Sequence, residues 1–307
     1  MKLATEAFGA VFQNPVLLAA GTCGFGLELA DVLDVDALGG FVTKSVTLEP
    51  RAGNPAPRVA EFEGGMMNSV GLANPGLAGV LRDKLPWIAA RVRRARVFVS
   101  VAGHTVEEFF TLVEELDAAD GFLGFELNLS CPNDRDRTGL AFALDPALVS
   151  EIVRGCRART DRPLLAKLAP NDLRLSETAR VAEEAGADGL TLVNTLPGLL
   201  LNAAGGGPTL GAGPGGMSGS ALRPAGIRAV REAARSTTLP LIGLGGVSTA
   251  EDAVSYARAG ASLVQVGTAS FALPTAGLRI ARDLARWGRR HGVGAWSDLR
   301  PRVPVEA

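Results

Sequence analysis

Histidine is almost absent from this chain: of 307 residues, only His104 and His291 are histidine. That scarcity argues against a histidine-rich metal site and against Ser-His-Asp hydrolysis. Cysteine is scarce too. Cys23, Cys131 and Cys156 are too few and too scattered for a disulfide framework or a CxxC metal site. Such sparing use suits a reducing cytoplasm, which is the expected location. No run of about 18 apolar residues occurs, so no membrane span is expected. The N-terminal MKLATEAFGAVFQNP lacks an apolar core long enough for a signal peptide. Charge leans neither way, with 31 basic and 32 acidic residues and a formal net charge of −1. Without a basic stripe a nucleic-acid partner is not expected, and without an acidic tail neither is a disordered arm. The GxxxxGKS/T phosphate loop is missing as well, which argues against an NTPase.

What the chain does have is apolar material in short pieces. It is 47% hydrophobic and 21% charged, ample for a large core, and its 38 glycines promise many tight turns. Eight short runs rich in Val, Leu and Ile lie at 15–20, 39–47, 96–103, 122–130, 163–170, 188–195, 240–246 and 262–269. Most are separated by amphipathic segments of helical period, as at 106–119, 147–160, 175–186, 225–236 and 250–260. Glycine follows several of these, as a helix C-cap does. Near-continuous apolar strands alternating with helices mean parallel βα units. Eight of them predict an α/β fold, a (β/α)8 TIM barrel formed by residues 1–307 as one domain, with a doubly wound open sheet as the alternative. Two insertions, 50–76 and 196–220, each follow a strand. In a barrel such segments build the active-site face.

On that face the fourth run ends in FELNLSCPND, 125–134. The strand period of two sets Glu126, Asn128 and Ser130 on one side, looking into the barrel top, with Leu127 and Leu129 against the helices. Cys131 follows the strand tip and precedes the polar NDRDRTG, a setting in which a thiol can serve as base or nucleophile. Cys23 and Cys156 read as ordinary packing. Lys44 and Lys167 interrupt otherwise apolar strands. Either each snorkels from a strand end, or the two converge on an anion at the barrel mouth. GLGGVS (243–248) and VGTASF (266–271) end the seventh and eighth runs, where barrels often bind phosphate through backbone N–H groups. GGMSGSALRP (215–224) is a third glycine loop. NSVGLANPG (68–76) is either a surface turn or, through Asn68, a reader of carboxylate or amide groups, and Asn194 and Thr195 at the sixth strand end offer the same chemistry.

Together these motifs resemble a family. NPVLLAAGTCGFG (14–26), TKSVTLEPRAGNPAPR (43–58), GGMMNSVGLANPG (64–76), ELNLSCPN (126–133), AKLAPN (166–171), VNTL (193–196), GGMSGSALRP, GLGGV (243–247) and VGTASF, in this order over nearly the whole chain, resemble the class 1 dihydroorotate dehydrogenases of pyrimidine biosynthesis. The class rests on Cys131, since class 2 enzymes use serine as base and carry a membrane-binding extension. EPRAGNPAPRVAE and NSVGLANPG look most like subclass 1B, whose catalytic FMN subunit forms a homodimer core and passes electrons to NAD+ through a partner subunit with FAD and a 2Fe–2S cluster. Subclass 1A acts alone on fumarate and is the alternative. The chain departs from the pattern at Ser100, where Asn is usual near the flavin, at Ser220, and in the glycine-rich 205–216.

Residue by residue, the resemblance implies an FMN phosphate at Gly245, Gly246, Gly267 and Thr268, with Gly219 nearby. It implies Gly21, Lys44, Ser45, Ser100, Asn128 and Val193 along the ring and ribityl chain, and Lys167 beside the N1/O2 edge. Orotate is expected at Lys44, Asn68, Ser69, Val70, Gly71 and Leu72, with Asn128, Asn194 and Thr195. No metal is expected. The implied reaction removes a proton from C5 of dihydroorotate with Cys131 while hydride passes from C6 to flavin N5, and residues 132–143 form a lid. A free thiol titrates at about 8.5, so the rate should climb with pH until thiolate dominates. A more distant alternative is a Schiff-base lyase with Lys167 as nucleophile.

Overall fold

The computed structural model describes residues 1–130 and 141–301. Its centre is a closed barrel of eight parallel strands: Val16–Leu18, Gly40–Val42, Arg96–Val101, Gly124–Asn128, Leu164–Leu168, Gly189–Leu192, Leu241–Leu244 and Leu263–Val266. Each pairs with its sequence neighbour and the eighth closes on the first, Val264 opposite Val16. This is the predicted (β/α)8 barrel, and each predicted apolar run contains one barrel strand. The runs are near-continuous because both faces of a parallel barrel strand are buried, one by side chains in the lumen and one by helices.

Helices cover the outside at Val106–Asp117, Pro146–Arg157, Leu175–Glu184, Arg223–Ser236, Ala250–Ala259 and Ala276–Arg290. Three of these six starts carry side-chain caps. The Thr105 hydroxyl accepts from Glu108 N, and the Asp145 carboxylate from Ala147 N. Thr249 and Asp252 form a reciprocal box. Gly186 and Gly260 end two helices at φ of 100° and 129°, a conformation that costs glycine little. The first βα unit is irregular: its described residues hold two 3-10 turns, Leu27–Leu29 and Val35–Ala37, where an α-helix is usual.

The bottom of the barrel is sealed by a hairpin, Thr5–Ala7 with Ala10–Phe12. Its turn residues Phe8 and Gly9 both have positive φ, 52° and 68°, as a two-residue turn matched to strand twist requires. The Phe8 ring enters the lumen, edge-on to Phe12 and to Phe98, with centroids 6.3 and 5.7 Å away. Leu17, Phe98, Leu165 and Ile242, from alternate strands, form a buried cluster with it. Gly189 has no side chain because that space is filled: a Cβ there would lie 2.4 Å from the Phe8 ring.

At the other end the two insertions meet. Val59–Phe62 and Gly65–Asn68 from the first, and Leu196–Gly198 and Gly215–Ser218 from the second, form one antiparallel four-stranded sheet. Its central seam pairs Gly216 with Asn68 and Ser218 with Met66. Two loops read separately in the sequence are therefore a single structure over the barrel mouth.

Because Phe98 is fully buried between the hairpin and the lower lumen, Phe98→Ala should cost about 3–5 kcal/mol, read from the midpoint of denaturant unfolding at constant slope. A loss below 1 kcal/mol would show that the hairpin does not seal the lumen.

Candidate active site

The carboxyl ends of the strands and the four-stranded sheet enclose a cavity of about 970 Å3. The two interrupting lysines both line it. Lys44 follows the second strand, and its Nζ lies 3.8 Å from where a Cβ on Gly21 would stand, an ordinary contact distance; Gly21 itself has φ of 81°, a conformation that favours glycine. Lys167 sits inside the fifth strand and is nearly buried. Its Nζ is 3.2 Å from a Glu126 carboxylate oxygen. Lys167, expected as a cation for an anionic ligand, and Glu126, expected in the lumen, are joined by this contact. Glu126 is 0% exposed and its other oxygen accepts from the Thr191 hydroxyl and the Gln265 amide, both at 2.9 Å. A buried charge is tolerable only with this degree of pairing. With its Nζ held by Glu126, Lys167 is poorly placed to act as a Schiff-base nucleophile.

A directed chain of polar groups runs along the next wall. Ser45 Oγ and Ser100 Oγ are 2.8 Å apart. Asn128 Nδ2 donates to Ser45 Oγ at 3.2 Å, and Asn128 Oδ1 accepts from Asn194 Nδ2 at 3.1 Å. Asn194 Oδ1 in turn accepts from Thr195 N at 2.8 Å. The chain fixes which end of each amide faces the cavity. Ser45, Asn128, Asn194 and Thr195 line the cavity, whereas Ser100 is fully buried behind Ser45 and does not. Cys131 and most of the expected lid, 132–143, lie outside the described residues; Ser130 and Ala141 on either side both line the cavity.

The predicted loop Asn68, Ser69, Val70, Gly71 and Leu72 forms another part of the lining. It is no loose turn. Asn68 donates to Gly216 O across the seam at 3.2 Å, and Asn54 donates to the Ser69 hydroxyl at 2.9 Å. Leu72 has φ of 54°, unusual for a branched residue. It is held there by Asn74, which donates to Leu72 O and to the Thr47 hydroxyl and accepts from Gly76 N, each at 2.8 Å. Asn74 is not among the residues expected at the site; its position between Ala73 and Pro75, where short amides cap turns, is the signal the sequence offers for it.

Gly219, Gly245, Gly246, Gly267 and Thr268 come together on the remaining side. Tyr256, buried and with its ionisation pushed up by that burial, clamps the seventh-strand end by donating to Leu244 O at 3.0 Å and Gly245 O at 2.7 Å. Gly246 has φ of 67°, and a Cβ there would meet Gly219 O at 2.7 Å. Gly267 is different. It has no positive φ, and a Cβ on it would meet protein only at 3.6 Å or more. The neighbouring protein therefore leaves open space beside the Gly267 backbone.

A parallel barrel whose mouth holds two lysines, ordered amides and glycine loops on strands seven and eight has the layout of a barrel enzyme, with its polar groups gathered at the carboxyl ends of the strands. A family model described as dihydroorotate dehydrogenase matches residues 2–287. A protein of Solibacter usitatus provisionally named dihydroorotate dehydrogenase A (fumarate) is 46% identical over 97% of both chains. The dihydroorotate dehydrogenase B (NAD(+)) catalytic subunit of Pelobacter propionicus is 43% identical over 95% of both, and the dihydroorotate dehydrogenase A (fumarate) of Lactiplantibacillus plantarum is 41% identical over 97% of both. The chain belongs to the dihydroorotate dehydrogenase family, whose members are oxidoreductases.

Cys23 and Cys156 behave as core. Burial pushes each thiol up to about 12, far above the working range of a nucleophile. At pH 8 the native protein should therefore give at most one fast-reacting thiol per chain with a thiol reagent, and three after unfolding. Two or more fast thiols in the native state would contradict the burial.

Proposed function

We propose that this chain is an FMN-dependent enzyme that oxidises dihydroorotate to orotate, sending the electrons to NAD+ through a partner subunit that carries FAD and a 2Fe–2S cluster. The observation that carries this reading is the convergence of Lys44, Lys167, the Asn128–Asn194 chain and the strand-seven and strand-eight glycines on one cavity, in a chain of this family. FMN suits the donors present. A phosphate fits against the backbone of Gly245, Gly246, Gly267 and Thr268 with Gly219 beside it, where the missing Gly267 Cβ leaves space. Gly21, Ser45, Asn128, Lys167 and Val193 would flank the ring and ribityl chain, with Ser100 supporting Ser45 from behind.

Bound FMN supplies the two-electron acceptor for hydride from C6 of the substrate. The protein's residues do the rest. Lys44 offsets the substrate carboxylate, while Asn68, Asn128, Asn194 and Thr195 read its ring amide groups by donating and accepting. Ser69, Val70, Gly71 and Leu72 shape the pocket around it. The four-stranded sheet shields the cavity from bulk water, which strengthens these contacts. Cys131 takes the C5 proton, so turnover rises with pH as its thiolate fraction grows. In this reading the chain works in the cytoplasm as the homodimeric core of a larger complex.

Two of the similar proteins carry the fumarate name, which favours a second reading in which the chain acts alone and reduces fumarate. Purified chain that oxidises dihydroorotate with fumarate at a steady rate decides for it; activity that needs the iron–sulfur subunit and NAD+ decides against it.

Anaerobic dihydroorotate should bleach the flavin bands of the purified protein. Flavin that stays oxidised would remove the substrate assignment. Cys131→Ala should keep the flavin and lower kcat at least about tenfold, a barrier change of about 1.4 kcal/mol or more; a smaller loss would take Cys131 out of the base role. Gly267→Ala should fold with an unchanged melting temperature yet bind FMN about tenfold more weakly, about 1.4 kcal/mol. Unaltered FMN affinity would place the phosphate elsewhere.

A further inference from the structure

Glu126 is the least expected group in the barrel. The lumen of such a barrel is filled mainly by bulky aliphatic residues, and the lower layer here follows that rule with Leu17, Phe98, Leu165 and Ile242. The layer above does not. It places Glu126, Thr191 and Gln265, from the fourth, sixth and eighth strands, side chain to side chain with no exposure to solvent. Three donors converge on one carboxylate: Lys167 Nζ at 3.2 Å, Thr191 Oγ1 at 2.9 Å and Gln265 Nε2 at 2.9 Å. The Gln265 amide is turned to donate, and its own oxygen is left without a hydrogen bond among the described residues. Orphaning a buried acceptor is unfavourable, so the amide orientation is set by the carboxylate.

The consequence lies at the cavity. Lys167 lines the cavity, and Glu126 does not. Strand register sets Lys167 between Asn128 and Thr191, while Glu126 stands two residues before Asn128 on the same face, further into the barrel. The ammonium is thus at the cavity surface with a fixed carboxylate behind it. An ion-pair dipole of this kind projects a weaker positive potential than a lone lysine, and it does so from a fixed place because both ends are buried.

We propose that Glu126 is a positioning residue which holds the Lys167 ammonium against the cavity and attenuates its charge, thereby lowering the reduction potential of the flavin bound there. The proposal rests on the flavin reading given above. Removing the negative charge leaves Lys167 with its full field, which favours whichever flavin state carries more negative charge, the reduced one. A lesion that only loosens the fold weakens both oxidation states alike and leaves the potential in place.

The test is the midpoint potential of FMN in the purified holoprotein, wild type against Glu126→Gln, without substrate, alongside FMN affinity and melting temperature. E126Q should move the potential positive by at least about 30 mV, a tenfold change in a two-electron equilibrium. A potential unchanged or more negative, with flavin bound, overturns the proposal. If E126Q does not fold, Glu126→Asp keeps the charge but withdraws it by one methylene; a smaller positive shift is then expected, and none overturns the proposal. Wild-type protein that takes up no FMN instead refutes the flavin reading itself, which separates the two failures.

Discussion

A fully buried carboxylate, Glu126, is the constraint around which the upper barrel is organised. Its negative charge must be met within a few ångströms, and the donors that meet it come from three different strands. The lysine that satisfies it is also the lysine that lines the cavity. Removing either partner of such a pair strands the other charge in a low-dielectric interior, typically at a cost of about 3–5 kcal/mol. The pair therefore couples the stability of the barrel to the electrostatics of its mouth.

Below that layer the barrel is ordinary core, closed by the hairpin and the Phe8 ring. Above it, the chemistry is carried by strand ends and loops, each braced by a neighbour. Asn74 braces Leu72, Tyr256 braces Gly245, and Asn128 lies between Ser45 and Asn194. This division explains how one rigid scaffold can hold several short polar side chains in register: these lining groups are held by neighbours as well as by their own rotamers.

Much of this was legible in the sequence, and what was not has physical reasons. The eight barrel strands show as near-continuous apolar runs because both their faces are buried. The cavity residues Lys44, Lys167, Asn128, Asn194 and the strand-seven and strand-eight glycines were found because polar or bare positions are unexpected at such strand ends. The upper sheet was not foreseen: Gly65–Asn68 and Gly215–Ser218 have no alternating pattern, and their pairing spans about half the chain. The hairpin strands are three residues each, too short to show a period. The helix Ala276–Arg290 did carry a clear amphipathic pattern and lay beyond the last strand considered. The Glu126–Lys167 pair was visible as two charges in adjacent apolar strands, but partnership across strands depends on register, which a single sequence does not give.

The four-stranded sheet also sets a timetable. Its central seam joins residues 66–68 to residues 216–218, so the first half of the cavity cover leaves the ribosome long before the strand that completes it. Contacts of such separation form late because the intervening loop must first be ordered. Until then Gly65–Asn68 has only its hairpin partner Val59–Phe62 and an open edge on the other side. A chain that stops short of residue 215 has only half its cover over the mouth, so the complete means to retain a ligand arrives only with a nearly finished barrel.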